Sequence, residues 1–200
     1  DASFANISSD AVLYVPTIDA VTAYKNSAWN NYFSDIRVAK KEANGMSWGL
    51  NPYDTGTGKY TLWISGIKEM EDYKDANSVP WSKYADKIVA VELPSDMTHI
   101  GSYAFYNCVA LKSITIPKLV ETIGEYCFAS SSALESVTFG EGSKLTSIGN
   151  YAFRKCGRLK NITIPASVGT IGEYCFYYCT ALESVTFEEG SKLTSIGNYA

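Results

Sequence analysis

From about residue 88 onward the apolar and polar positions of the chain keep a fixed order. An Ile-Gly pair recurs at Ile100-Gly101, Ile123-Gly124, Ile148-Gly149, Ile171-Gly172 and Ile196-Gly197, with two slightly different spacings in alternation. Each pair opens the pattern I-G-x-Y-[AC]-F, followed by a short variable stretch and then A/R-L-[KE]-[SN]-[IV]-T-[IF]. Two units make a longer period, since GEYCF at 124 recurs at 172 and ALESVTF at 133 recurs at 181. A unit this short cannot bury its own apolar side, so the period predicts a solenoid in which like residues stack into columns. The expected columns are Leu111, Leu134, Leu159, Leu182; Ile114, Val137, Ile162, Val185; and Ile116, Phe139, Ile164, Phe187. Around the second column the alternation, 114 and 116 inward with 113 and 115 outward, predicts a strand, and Pro117 and Pro165 end it. Phe105, Phe128, Phe153 and Phe176 should fill the interior from the opposite wall. The glycines should mark a tight or positive-φ backbone position.

Units such as IGSYAFYNCVALKSITIP and IGEYCFYYCTALESVTF resemble the BspA-type leucine-rich repeat of bacterial surface proteins, I-G-x-x-A-F-x-x-C-x-x-L-x-x-I-x-I-P, over residues 88–200. The resemblance implies a β-rich (α+β) right-handed leucine-rich-repeat solenoid with one short strand per unit in a parallel sheet. It also implies display outside the cell, at the surface or secreted, for adhesion or partner binding.

Residues 46–87 are expected to form a non-repeat N-terminal cap, with Trp63, Met70, Tyr73 and Trp81 covering the open apolar end of the first rung. Ile88 to Pro94 aligns with Leu111 to Pro117 as an entry strand. Residues 1–45 read as the end of another repeat unit plus a cap-like helical segment. The interval from Phe4 to Pro16 equals that from Phe105 to Pro117. After it, Val21, Ala28, Trp29, Tyr32, Phe33 and Ile36 fall near one helical face, behind Thr17 or Asp19 as N-cap. The sequence thus opens and closes inside a unit, with an incomplete last one. This fits a segment of a longer array, or head-to-tail self-association in which Asp1-Ala2-Ser3 of one chain continues past Asn198-Tyr199-Ala200 of another.

Composition narrows the chemistry. In 200 residues there is one histidine, His99, too few for an HExxH zinc site, and the net charge of −4 lacks the clustered basic face of a nucleic-acid binder. No apolar run approaches the ~20 residues of a bilayer span, so no membrane insertion is expected. The five cysteines fall in two small-residue slots. Cys108, Cys156 and Cys179 share one with Ser131; Cys127 and Cys175 alternate with Ala104 and Ala152 in the other. Cys156 and Cys179, on adjacent rungs, are within reach of each other, but buried thiols are the expectation. GTGK at 56–59 lacks the spacing of a phosphate loop and reads as a turn between strands. His99 with Cys108 is a weak nucleophile pair. No catalytic set, metal site or cofactor is expected, and the chain is read as not an enzyme.

The outward strand positions are therefore the candidate site: Lys112, Ser113, Thr115; Glu135, Ser136, Thr138; Lys160, Asn161, Thr163; and Glu183, Ser184, Thr186. Their Lys, Glu, Lys, Glu order suits cross-strand pairing. The leading function is binding of a protein partner on this face. A structural spacer or self-associating stalk is the first alternative. A carbohydrate-binding surface module is the second, and would need Tyr106, Tyr177 and Tyr178 exposed.

Overall fold

A computed structural model describes residues 12–15, 20, 23–24, 35–38, 40–41, 44–53 and 57–200. From residue 99 on, the chain winds as a β-solenoid of about four turns with almost no helix, as the period predicts. Each turn contributes a two-residue strand at the Ile-Gly position: β7 (His99–Ile100), β9 (Thr122–Ile123), β11 (Ser147–Ile148), β13 (Thr170–Ile171) and β15 (Ser195–Ile196). These pair in parallel as one continuous sheet in the order β15-β13-β11-β9-β7, which Glu69 extends by a bridge to His99. At a constant interval after each of the first four comes a longer strand: β8 (Ser113–Ile116), β10 (Ser136–Phe139), β12 (Asn161–Ile164) and β14 (Ser184–Phe187).

The expected columns form the core over the first three rungs, while in the last Leu182, Val185 and Phe176 are half-buried and Phe187 is exposed. Leu111, Leu134 and Leu159 are fully buried, as are Phe105, Phe128 and Phe153. The phenyl rings stack at 5.3 Å between the first two pairs and 5.7 Å from Phe153 to Phe176.

The glycines are tight positions rather than positive-φ ones. None of the five Ile-Gly glycines has positive φ. A Cβ on Gly124 would lie 2.4 Å from Ser102 N and one on Gly172 2.4 Å from Asn150 N, both backbone atoms of the preceding rung. The left-handed conformation falls two positions later, on Tyr103, Tyr126, Tyr151, Tyr174 and Tyr199, and four further on, at Asn107, Ser130, Lys155 and Tyr178. This local geometry turns alternate amides toward the next rung. Tyr103, Phe105 and Asn107 donate to Glu125 O, Cys127 O and Ala129 O at 2.9, 2.8 and 2.9 Å, and the following rungs repeat the arrangement. A third hydrogen-bonded wall results, built without a strand. Left-handed backbone costs roughly 1–2 kcal/mol per non-glycine residue. The tyrosines offset this by stacking ring on ring, at centroid distances of 5.0, 4.5, 5.0 and 4.9 Å along the column.

Ahead of the turns lies a four-stranded sheet, β3 (Lys40–Lys41), β4 (Ser47–Pro52), β5 (Tyr60–Ser65) and β6 (Ile88–Glu92), antiparallel except that β5 and β6 run parallel. Of GTGK, Thr57, Gly58 and Lys59 are described and lie between β4 and β5, where Gly58 has φ +64° and Tyr53 N donates to Lys59 O at 2.9 Å. Two 3-10 turns, Ala76–Ser78 and Ser82–Lys87, connect β5 to β6, the first capped by Asp75 accepting from Asn77 N and Ser78 N. They place Trp81 against the array: its ring stacks on Phe105 at 6.2 Å and its Nε1 donates to Ala104 O at 2.7 Å. Trp48 and Tyr73 meet Trp81 edge-on at 5.7 and 6.0 Å, and Met70 and Trp63 are buried.

Further upstream, β1 (Val12–Val15) pairs in parallel with β2 (Asp35–Val38). Ala20, Ala23 and Tyr24 are helical, while of the expected helical face Val21, Ala28, Trp29, Tyr32 and Phe33, and the N-cap candidates Thr17 and Asp19, lie outside the described residues. Ile36 belongs to β2 rather than to the helix. Close to Val38 in a stretch with two β-branched residues, it gains ladder bonds to β1 that a final helical turn would not supply. The Asp1-Ala2-Ser3 end of the expected head-to-tail contact also lies outside the described residues.

Candidate binding surface

All twelve outward residues are exposed. Ser113, Thr115, Ser136, Thr138, Asn161, Thr163, Ser184 and Thr186 lie on β8, β10, β12 and β14, and Lys112, Glu135, Lys160 and Glu183 directly precede those strands. They do not form one ladder. β8 pairs with β10 and β12 with β14, and among the described residues no ladder joins β10 to β12. The break falls at the longer of the two repeat steps, where the turn after β10 (140–146) exceeds that after β8 by two positions. Within each pair the threonines meet across the strands: Thr115 with Thr138 at 2.9 Å and Thr163 with Thr186 at 3.0 Å. Ser184 also donates to Asn161 Oδ1 at 2.7 Å.

The expected Lys-Glu alternation is replaced at its centre. Among the described residues, the ion pair on this face joins Glu135 to Arg158 at 3.7 Å, with both side chains more than half exposed. Such a contact contributes ~0–1 kcal/mol and leaves the cations open to a partner. Arg158 also links two adjoining shallow depressions, one lined by Glu135, Lys160 and Ala181, the other by Lys59, Asp86, Val109, Lys112 and Ala133. Lys59, Lys112, Arg158 and Lys160 thus line a furrow where the chain enters its strands. The outward-position pattern does not include Arg158 or Lys59. A readable signal exists for Arg158, which stands where the other units carry Ala110, Ala133 and Ala181. Lys59 comes from the β4–β5 turn and no period announces it.

A second polar row runs beside the Ile-Gly sheet. Asn150 donates to Glu125 Oε1 at 2.9 Å and accepts from Glu173 N at 2.8 Å. Nearer the start of the array, Asp72 Oδ1 accepts from Ser102 N and Ser102 Oγ, each at 2.7 Å, and lies 3.2 Å from His99 Nε2, while His99 Nδ1 meets Thr122 Oγ1. Burial pushes the Asp72 carboxyl up, but the Ser102 hydroxyl and amide and the facing imidazole outweigh it and hold it below the ordinary carboxylate value. His99 is therefore a satisfied linking residue. Burial pushes the Cys108 thiol up to about 12, which leaves it a poor nucleophile at neutral pH.

All five cysteines are buried free thiols, as expected. The structure adds a reason why Cys and Ser exchange in one slot. Ser131 Oγ, Cys156 Sγ and Cys179 Sγ each donate to the phenylalanine carbonyl of the preceding rung, Phe105, Phe128 and Phe153, at 2.9, 3.3 and 3.1 Å. The slot selects a small donor, not smallness alone. Of the aromatic residues a carbohydrate site would need, Tyr106 is half-buried, and Tyr177 meets Tyr178 edge-on at 4.5 Å, with Tyr178 59% exposed. No described helix is long and apolar enough to cross a membrane.

The array matches the model of the BspA type leucine rich repeat region in six copies over residues 83–200. The fold is similar to the crystal structure of a leucine-rich repeat protein from Eubacterium ventriosum, 28% identical with a TM-score of 0.66, over 80% of this chain and 40% of that one. A leucine-rich repeat protein from Bacteroides ovatus is likewise 28% identical, with a TM-score of 0.50 over 74% of this chain and 45% of that one. A leucine rich cell surface protein from Faecalibacterium prausnitzii shares the fold at 23% identity and a TM-score of 0.54, over 80% of this chain and half of that one. The chain therefore spans half or less of the length of each of these structures. No curated protein matches it. With the repeat model covering more than half of its residues and the columns, strands and turns built as the repeat requires, the chain belongs to the BspA type leucine-rich repeat family.

Proposed function

We propose that the chain is a non-enzymatic binding module displayed outside the cell, which holds an acidic segment of a protein partner along the furrow and the adjoining strand face. The family is typically found on bacterial surface proteins, and repeat folds of this kind serve binding. The observation that carries the reading is the row Lys59, Lys112, Arg158 and Lys160 along connected depressions, on a chain whose net charge is −4. Opposite charge on a partner is steered to such a row and fixed in register by it. Val109, Ala133 and Ala181 line the same depressions and add small apolar surface beside the cations. Ser113, Thr115 and their equivalents supply hydroxyls beside it.

The test is fluorescence anisotropy with a short labelled glutamate-rich peptide in low salt. Binding should weaken as salt rises. The triple variant Lys112→Glu, Arg158→Glu, Lys160→Glu should weaken it about tenfold or more, and Lys192→Glu, off the furrow, should leave it unchanged. Equal affinity of the triple variant and the parent would overturn the site. A sulfated oligosaccharide that binds where the peptide does not would move the reading to carbohydrate.

A further inference from the structure

The cysteine slot carries a chemistry that the binding reading does not use. Three of its four occupants on these rungs are Cys108, Cys156 and Cys179, and the fourth, between Cys108 and Cys156, is Ser131. Successive rungs lie about 5.3–5.7 Å apart, judged from the phenyl column beside the slot. Disulfide-bonded residues have Cα atoms about 4.4–6.8 Å apart, so neighbouring rungs qualify. Two-rung pairs, about 10 Å apart, do not. Within each slot this rules out Cys108 with Cys156, and Cys127 with Cys175, and leaves Cys156 and Cys179.

Their surroundings bring the two sulfurs together. Phe153 O accepts both from Cys156 N, at 3.1 Å, and from Cys179 Sγ, at 3.1 Å, so the Cys179 thiol reaches back to the turn that Cys156 closes. We propose that Cys156 and Cys179 form an oxidation site, closed by hydrogen peroxide into a disulfide that ties two adjacent rungs. Cys179 is the attacking sulfur. It is 9% exposed, whereas Cys156 is fully covered. The facing Cys156 thiol and amide lower its pKa against the opposing effect of burial. The Cys179 thiolate attacks one peroxide oxygen, the O–O bond breaks, hydroxide leaves and a sulfenic acid remains on Cys179. The Cys156 sulfur then displaces the sulfenic oxygen as water, its own proton leaving with that oxygen. The net change is two thiols and one peroxide to one disulfide and two waters.

Closure leaves no buried carbonyl of the two turns without a donor. Phe128 O keeps the bond from Ser131 N and Phe153 O keeps that from Cys156 N, both at 3.1 Å. The slot's own sequence also supplies variants that preserve the fold, since Ser131 already fills it with the same bond to the preceding carbonyl. Ala104 and Ala152 do the same for the slot of Cys175.

The folded chain is treated with hydrogen peroxide at neutral pH, quenched, and its thiols counted after denaturation. The five thiols should fall by two, with a mass loss of about 2 Da that dithiothreitol reverses. Peptide mapping should join Cys156 to Cys179. Cys179→Ser should retain all its remaining thiols, Cys156→Ser should stop at a sulfenic acid on Cys179 and form no disulfide, and Cys175→Ala should still lose two. Retention of all five thiols by the parent would overturn the proposal, as would a link that survives Cys179→Ser or one that joins two chains.

Discussion

The array and the sheet before it solve the same problem, an apolar interior needing cover, in opposite ways. The array repeats one answer: each Phe, Leu and Ile lies over its equivalent, and the small or glycine slots are set by the backbone of the rung beneath. The preceding sheet uses single residues that recur nowhere. Trp48, Tyr73 and Trp81 meet at steep angles instead of stacking in register. Trp81 belongs to both regions, because it faces Phe105 at 25° as one more member of the phenyl column. The lesson is that a solenoid is closed by an irregular region that presents one side of a regular rung.

The largest test of that view is at Trp81. Trp81→Ala should cost about 3–5 kcal/mol in chemical unfolding, as for other buried large-to-small changes. Trp81→Phe should restore the column at a cost of about 1–3 kcal/mol, set by leaving Ala104 O without the indole donor. If Phe is as damaging as Ala, the position is specific to indole and not an extra rung.

The same contrast decides how much is legible in the sequence. Columns are legible because a pattern that returns at nearly constant intervals averages away local ambiguity. Strands β8 and β12 are legible because Pro117 and Pro165 mark their ends. The tyrosine column is visible as a repeat, but its left-handed backbone is not, because Tyr carries none of the glycine or asparagine signal for that region. The expectation therefore falls on the neighbouring glycines, whose role is close approach. The break between β10 and β12 is hidden for a different reason. Register in the Ile-Gly sheet absorbs the two extra positions, so the step is visible in the sequence while its effect on the other sheet is not. At the candidate site, the eight strand residues follow from alternation, and Lys112, Glu135, Lys160 and Glu183 from their constant place before each strand. Arg158 and Lys59 join the furrow through departure from the repeat and through tertiary placement.

A smaller test addresses the seam between the regions. Asp72, on the segment before the array, holds Ser102 and His99, and its folded carboxyl is more acidic than the ordinary value of 3.8. A lowered pKa contributes stability that is present above 3.8 and lost as pH falls through the lower folded value. The side chain is 63% exposed, so the contribution is expected at about 1 kcal/mol or less. All four tryptophans, Trp29, Trp48, Trp63 and Trp81, precede the array, which makes their fluorescence a local reporter. Their signal should begin to change below about pH 4, before the tyrosine near-ultraviolet band of the array. Asp72→Asn should remove that early phase, and if it remains the seam is held by other groups.

The smallest effect separates backbone from ring in the third wall. Lys155 is exposed and left-handed at φ 62°, in the slot where the first rung has Asn107 at φ 58°. Asparagine tolerates this conformation better than lysine. Lys155→Asn should therefore stabilise the chain by about 0.5–1 kcal/mol, a rise of about 1–4 °C in Tm. Tyr151→Asn gives the same relief at φ 58° but removes a ring stacked at 4.5 Å on Tyr126 and 5.0 Å on Tyr174, so it should lower Tm. If both substitutions raise Tm, stacking does not support the tyrosine column, and the amides donated to the next rung hold that wall unaided.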